Sequence, residues 1–204
     1  FTPRYNLQPG MTRALENDRP WPRYVATRYY FDLLASNRAN DARFEKSWKT
    51  VWYANNEKTL LPNMQLGDTA FVYVPWEVPQ AIKDAKEGEY NIWDINNFYN
   101  GEMPKGVREL FPQMRKYRDP NRPTINSGVG TKNVIEFRLA EMYLIAGEAL
   151  MKQGKLDEAA DLINVVRRRA AWPGHEGNME ITPDRLSIDF ILEERALELG
   201  GERL

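Results

Sequence analysis

The sequence predicts a mainly α protein: a helical hairpin as scaffold, with long irregular loops and a few short strands around it. Three observations predict this. Residues 134–171 (VIEFRLAEMYLIAGEALMKQGKLDEAADLINVVRRRAA) repeat at helical period, with Leu139, Met142, Tyr143, Ala146 and Leu150 on one stripe and Leu156, Ala159, Ile163 and Val166 on another. Gly154, in Lys152-Gln153-Gly154-Lys155, falls between the two stripes, where a left-handed residue ends a helix at no steric cost. Residues 73–100 mix aromatics with Asn, Asp and Gly and fit neither the helical nor the strand period. The small residues Ala146, Gly147, Ala149, Ala159 and Ala160 stand where two antiparallel helices must approach closely.

Composition narrows the function classes. With 28 Lys+Arg against 29 Asp+Glu, the net charge of -1 removes the electrostatic reason to expect nucleic acid as a partner. No apolar run approaches the roughly 18 residues of a membrane helix, and the sequence opens on no signal-peptide pattern. Cysteine is absent, which excludes disulfides, thiolate metal sites and a catalytic thiol. No cofactor motif is present. Six Trp and ten Tyr are many for a mean hydropathy of -0.64, so these rings must fill a core or face something. The sequence starts at Phe1 and stops at Leu204 inside a helical pattern, as expected for a fragment of a longer protein. The expected organisation is one domain over residues 1–204, loop-rich with short helices over 1–133 and helical over 134–204.

The other elements follow in order. Residues 1–24 hold Pro3, Pro9, Pro20, Pro22 and Gly10, an irregular segment with Trp21 fixed between two prolines. Residues 25–36 read as a short helix burying Tyr29, Tyr30, Leu33 and Leu34, broken by 37–41. Phe44, Trp48, Val51 and Trp52 fit helical spacing, whereas Val51-Trp52-Tyr53 favours strand; pattern alone supports both. Phe71-Val72-Tyr73-Val74 is the best strand candidate, ended by Pro75. Residues 102–133 connect, with Lys105, Arg108, Arg115, Lys116, Arg118 and Arg122 as a solvated ion-paired strip and Asp119-Pro120-Asn121 as a turn. After the loop 172–178, Thr182 and Pro183 are placed as N-cap and first residue of a last helix that buries Leu186, Phe190, Leu192 and Leu197.

Catalytic schemes fare poorly. His175 is the only histidine, which rules out two-histidine metal sites and leaves one loop residue for any triad. No glycine-rich phosphate cradle follows a strand. Glu194, Glu198 and Glu202 share a helix face, and Arg167-Arg168-Arg169 ends another helix; structural ion pairing across packed helices is the expectation, with Arg195 in a ladder within its own helix. A hydrolytic alternative needs two carboxylates about 5–10 Å apart in a cleft, with Asp94 and Glu102 as the loop candidates.

Binding by aromatics needs neither acid nor base. A flat ring buries the apolar face of a sugar at about 25 cal/mol per Å², and amides or carboxylates hydrogen-bond its hydroxyl rim. Trp76, Trp93, Tyr73 and Tyr99 are the candidate rings, and Asp94, Asn96 and Asn97 their polar partners. Trp21 is a further ring that either plugs the core or faces a ligand. A protein-interaction scaffold without sugar binding is the competing reading, in which the rings of 73–100 pack inward.

Two resemblances sharpen this. Gly147, Leu150 and Lys152-Gln153-Gly154 followed by Leu156-Asp157-Glu158-Ala159 look like a tetratricopeptide (TPR) unit, although Tyr143 stands where the repeat favours Trp and Ala171 where it favours Pro. Phe137-Arg138-Leu139-Ala140-Glu141, Val166-Arg167-Arg168-Arg169-Ala170 and Ile191-Leu192-Glu193-Glu194-Arg195-Ala196-Leu197-Glu198-Leu199 look like the C-terminal part of SusD/RagB-family proteins. Gly10–Asp32, Asp41–Asn55 and Phe111–Lys116 look like family segments as well. The resemblance implies a TPR-like scaffold with loops that carry a glycan site, and binding of oligosaccharide or polysaccharide without catalysis. It further implies a surface-exposed outer-membrane lipoprotein, anchored through an N-terminal lipid, that works with a SusC-like TonB-dependent transporter. In that family the strongest ligand residues often lie in the N-terminal half.

Overall fold

The computed structural model describes residues 2–101, 103–104 and 110–202, with no side-chain detail for 103 and 104. In chain order the elements are α1 (Arg28–Ala35), α2 (Arg43–Ser47), β1 (Trp48–Lys49), β2 (Val51–Tyr53), β3 (Thr69–Tyr73), α3 (Gln80–Asp84), β4 (Asn91–Trp93), α4 (Ile95–Phe98), β5 (Tyr99–Asn100), β6 (Met103–Pro104) and β7 (Gln113–Met114). Then come α5 (Leu139–Lys152), α6 (Leu156–Ala170), α7 (Glu176–Met179) and α8 (Ile188–Leu199). The protein is mainly α. It divides into two compact units, residues 1–32 with 46–133, and residues 33–45 with 134–204.

The first unit is built around rings. β2 pairs antiparallel with β3, and β3 pairs parallel with β4, so β3 is the central strand. Trp52 stacks on Phe71 (centroids 4.8 Å apart), Tyr73 meets Trp52 edge-on, and Phe98 closes the cluster against Tyr73 at 5.6 Å. Rings offset or edge-on, as here, add to their area burial because the π-faces and edges carry opposite partial charge. Residues 43–53 split: the helical spacing holds only through Ser47, after which β-favouring Val51-Trp52-Tyr53 forms β2. Within 73–100, read as irregular from the sequence, α3, β4, α4 and β5 are ordered elements. In α1 Leu34 is buried as expected and Tyr30 and Leu33 are half-buried, but Phe31 is buried and Tyr29 exposed, so the inward face is turned from the expected one by part of a turn.

The second unit holds the hairpin. α5 and α6 flank Gly154, which has φ +77, and the N–H of Lys155 reaches back to the carbonyl of Leu150. Gly147 sits where a Cβ would be 2.8 Å from Ile163, which fixes how closely the helices pack. The buried side of α5 is Glu141, Leu144 and Gly147; of the expected stripe Tyr143 packs against the core and Ala146 and Leu150 are half-buried, whereas Leu139 and Met142 are exposed, as are Phe137 and Ile145. Leu144, Ile163, Val166, Ile181, Ile191 and Leu199 form the core.

α8 begins at Ile188 with Ser187 as its cap, its side chain accepting from the N–H of Phe190; Thr182-Pro183 instead opens a single 3-10 turn. Its inward face is Ile191, Glu194, Glu198 and Leu199, while the expected Leu192 is exposed. Two buried carboxylates can lie there because arginines meet them. Glu194 pairs with Arg43 (2.7 Å) and Arg167, and Glu198 with Arg138 and Arg169. Asp41 holds the other edge of Arg43 at 2.6 Å. Arg195 approaches Glu141 of α5, at 3.8 Å, in place of the expected ladder within α8. Gly200 ends the helix.

Candidate functional site

Pro79 fixes φ and removes a backbone donor, so a short helix starts after it without loss. α3 then places Gln80, Lys83, Asp84 and, one turn on, Glu87 along one side of a groove of about 350 Å³. β4 supplies the floor with Asn91, Ile92 and Trp93; Tyr90 and Asn97 complete the lining. Trp93 is half-buried, and its indole N–H donates to the Gln8 amide oxygen at 3.1 Å, which fixes the ring plane. The Tyr90 ring carries the Lys86 ammonium 5.6 Å from its centre.

Asp94 supports the groove from below. One of its carboxylate oxygens accepts from the Val78 N–H (3.1 Å) and pairs with Lys83 at 2.7 Å; the other accepts from the Asn96 N–H (3.1 Å) at the start of α4. Burial works against its charge, yet Lys83 and these N–H groups hold its pKa below the ordinary carboxylate value. A carboxylate kept ionised in this way is suited to positioning Lys83 and α4, not to donating a proton. Glu102, its suggested catalytic companion, lies outside the described residues, as do Lys105 and Arg108.

The structure therefore brings Trp93 and Asn97 together in one groove with Asp94 beneath them. Trp76 is half-buried at the turn after β3, and Asn96 is exposed, donating to Glu77 at 3.2 Å; neither lines the groove. Tyr73 lies wholly inside the ring cluster, and Tyr99 is buried with its hydroxyl donating to the Ala26 carbonyl, so neither offers a face to a ligand. Tyr73 is on the central strand inside the ring cluster, whereas Trp93 is on the edge strand β4; edge position alone does not expose a ring, since Trp52 on the opposite edge strand β2 is fully buried by the cluster. Trp21 is half-exposed and lines a separate cleft of about 420 Å³ with Arg4, Asn6, Leu7, Arg13, Pro20, Pro22 and Arg23. Sequence reasoning missed Tyr90, Asn91 and the α3 side of the groove. Its signal was present: a proline followed by polar residues at i, i+3, i+4 and i+7. His175, half-buried, engages the Asn40 side chain at 2.9 Å, and among the described residues no cluster could hold a metal ion.

One unit holds a groove on short β elements and a short helix, the other a helical hairpin, and together they make a mainly α protein. The chain belongs to the SusD family, whose model matches residues 22–203. It is 33% identical over 126 residues to SusD-like protein P38 of Formosa agariphila, an alignment covering 58% of this chain and 23% of that protein. The chain thus spans under a quarter of the relative's length. No solved structure matches it.

Proposed function

We propose that this chain is part of a surface protein that binds glycan without cutting it and hands oligosaccharide to a SusC-like TonB-dependent outer-membrane transporter, its parent being held to the outer membrane by an N-terminal lipid. Family membership supports the nutrient-uptake setting. The observation that carries the reading is Trp93, held half-buried in a groove whose rim is amide and carboxylate. A sugar ring laid on Trp93 and Tyr90 buries its C–H face, and Asn91, Asn97, Gln80 and Asp84 meet its hydroxyls. With Asp84 and Glu87 on the rim, the groove suits uncharged sugars. Among the described residues no helix is long and apolar enough to cross a membrane.

Trp93→Ala in the full-length parent, assayed by affinity electrophoresis against a panel of neutral polysaccharides, is expected to weaken binding at least tenfold with an unchanged circular dichroism spectrum. Unchanged retardation across the panel refutes the groove as the site. The competing scaffold reading, with no sugar bound, draws on one specific observation: Phe137, Leu139, Met142 and Ile145 leave an apolar face exposed on and just before α5. That reading is preferred if no glycan binds at all.

A further inference from the structure

The cleft around Trp21 differs in kind from the Trp93 groove. Three of its lining residues are arginines (Arg4, Arg13 and Arg23) and none is acidic. A fourth, Arg19, lies with its guanidinium carbon 4.4 Å from the centre of the Trp21 ring, and that of Arg23 lies at 5.5 Å. Trp21 stands between Pro20 and Pro22, whose rings restrict its backbone. The indole is therefore a fixed post against which two guanidinium groups rest. Attraction of a cation to the π-face holds each long side chain in place before any ligand arrives.

The nearest carboxylate in sequence is already occupied. Asp18 is buried, pairs with Arg122 at 3.3 Å and accepts from the Arg19 backbone N–H at 2.7 Å. Arg13 donates to a neutral partner, Asn126, at 3.3 Å. Among the described residues Arg13, Arg19 and Arg23 form no ion pair. Arg13, Arg19 and Arg23, with no ion pair among the described residues, have the donor geometry for a planar or tetrahedral oxyanion. On a chain of net charge -1 this concentration of positive charge is local, not a by-product of an overall basic surface.

We propose that the Trp21 cleft is an anion-selective subsite that takes the carboxylate or sulfate group of an acidic glycan. This rests on the glycan-binding reading above and adds charge selectivity to it. Trp21 acts as a positioning residue that aims Arg19 and Arg23. The neutral part of such a glycan would occupy other surface, the Trp93 groove being one place for it.

The test uses the full-length parent and two matched pairs of probes. An oligogalacturonate and its fully methyl-esterified form test the carboxylate; a sulfated galactan oligosaccharide and its desulfated form test the sulfate. At least one charged probe is expected to bind more tightly than its neutral counterpart, with an affinity that falls as salt rises. Arg13 and Arg23 are exposed, so Arg13→Gln and Arg23→Gln should fold normally, and each is expected to weaken the charged probe about tenfold while leaving the neutral one unchanged. Trp21→Ala should reduce the charge preference and Trp21→Phe, which keeps a π-face, should restore part of it. Equal binding of charged and neutral probes in the wild type, or a preference that survives the double Arg13→Gln/Arg23→Gln variant, overturns the proposal. Trp93→Ala separates the two ideas: if it leaves neutral probes bound, the groove assignment fails while the charge preference still decides the cleft.

Discussion

Arg43 is the most informative residue to remove. It is buried, donates to both oxygens of Asp41 (3.0 Å to one, 2.9 and 2.6 Å to the other) and to Glu194 (2.7 Å), and approaches Glu198 at 3.5 Å. These partners hold its charge more firmly than an ordinary arginine's even against burial. In Arg43→Met the losses are unequal. Glu194 keeps Arg167, and Glu198 keeps Arg138 and Arg169. Asp41, itself buried, keeps the backbone N–H of residue 43 at 2.9 Å. An uncompensated buried charge costs about 3–5 kcal/mol, and because two of the three acids keep partners the lower end, about 3 kcal/mol, is expected. With a urea m-value of roughly 2 kcal/mol/M, the midpoint falls by about 1.5 M. Adding Asp41→Asn removes the orphaned charge, so the double variant should recover about 1–2 kcal/mol of the loss. Equilibrium urea unfolding followed by tryptophan fluorescence measures both. A shift under about 1 kcal/mol for Arg43→Met, or no recovery in the double variant, would show that the arginine–carboxylate lattice does not hold this unit together.

Two further outcomes are expected. Gly147→Val puts a branched side chain where even a Cβ lies 2.8 Å from the terminal methyl of fully buried Ile163, which must shift to make room; stability should fall by about 2–3 kcal/mol in thermal unfolding, and an unchanged midpoint would mean the hairpin is looser than described. Lys49 is pushed down to about 8 by burial, reinforced by Arg118 and Arg115. Its folded pKa lies below the unfolded 10.5, so the unfolded state binds more protons between the two values and stability rises with pH there, by about 3 kcal/mol in all. Lys49→Met should flatten that rise in urea midpoints measured from pH 8 to pH 10; a slope that persists would assign it to another group.

The hairpin was readable because its information is local. Period, small residues and Gly154 all lie within one stretch; Gly147, Ala159, Ala160 and Gly154 hold the expected places, while Ala149 and Leu156 are exposed. The phase of the stripe was less readable: Leu139 and Met142 are apolar and yet exposed, so apolarity alone turned α5 by part of a turn. α8 shows the opposite failure. Its inner face contains Glu194 and Glu198, and a rule that buries apolar residues must turn such a helix the wrong way unless the arginines facing it are counted. The groove was half legible. Trp93 and Asn97 stood out by composition, but Tyr73 and Trp93 have the same local signature, and core is separated from surface by the strand order together with what packs on each edge, as the fully buried Trp52 on edge strand β2 shows. That order depends on a parallel pairing between residues 71–73 and 91–93, which no local pattern announces.

This pairing ties Tyr73 directly to Trp93 across the ladder. One strand plugs the interior while its neighbour, rung for rung, paves the cleft floor, so a bound sugar would press on the stiffest masonry of its unit. The coping along the edge comes instead from α3, five residues resting on a proline. Floor and edge can then change separately: a lineage could alter which sugar it prefers by rewriting one short helix, leaving the pavement beneath untouched.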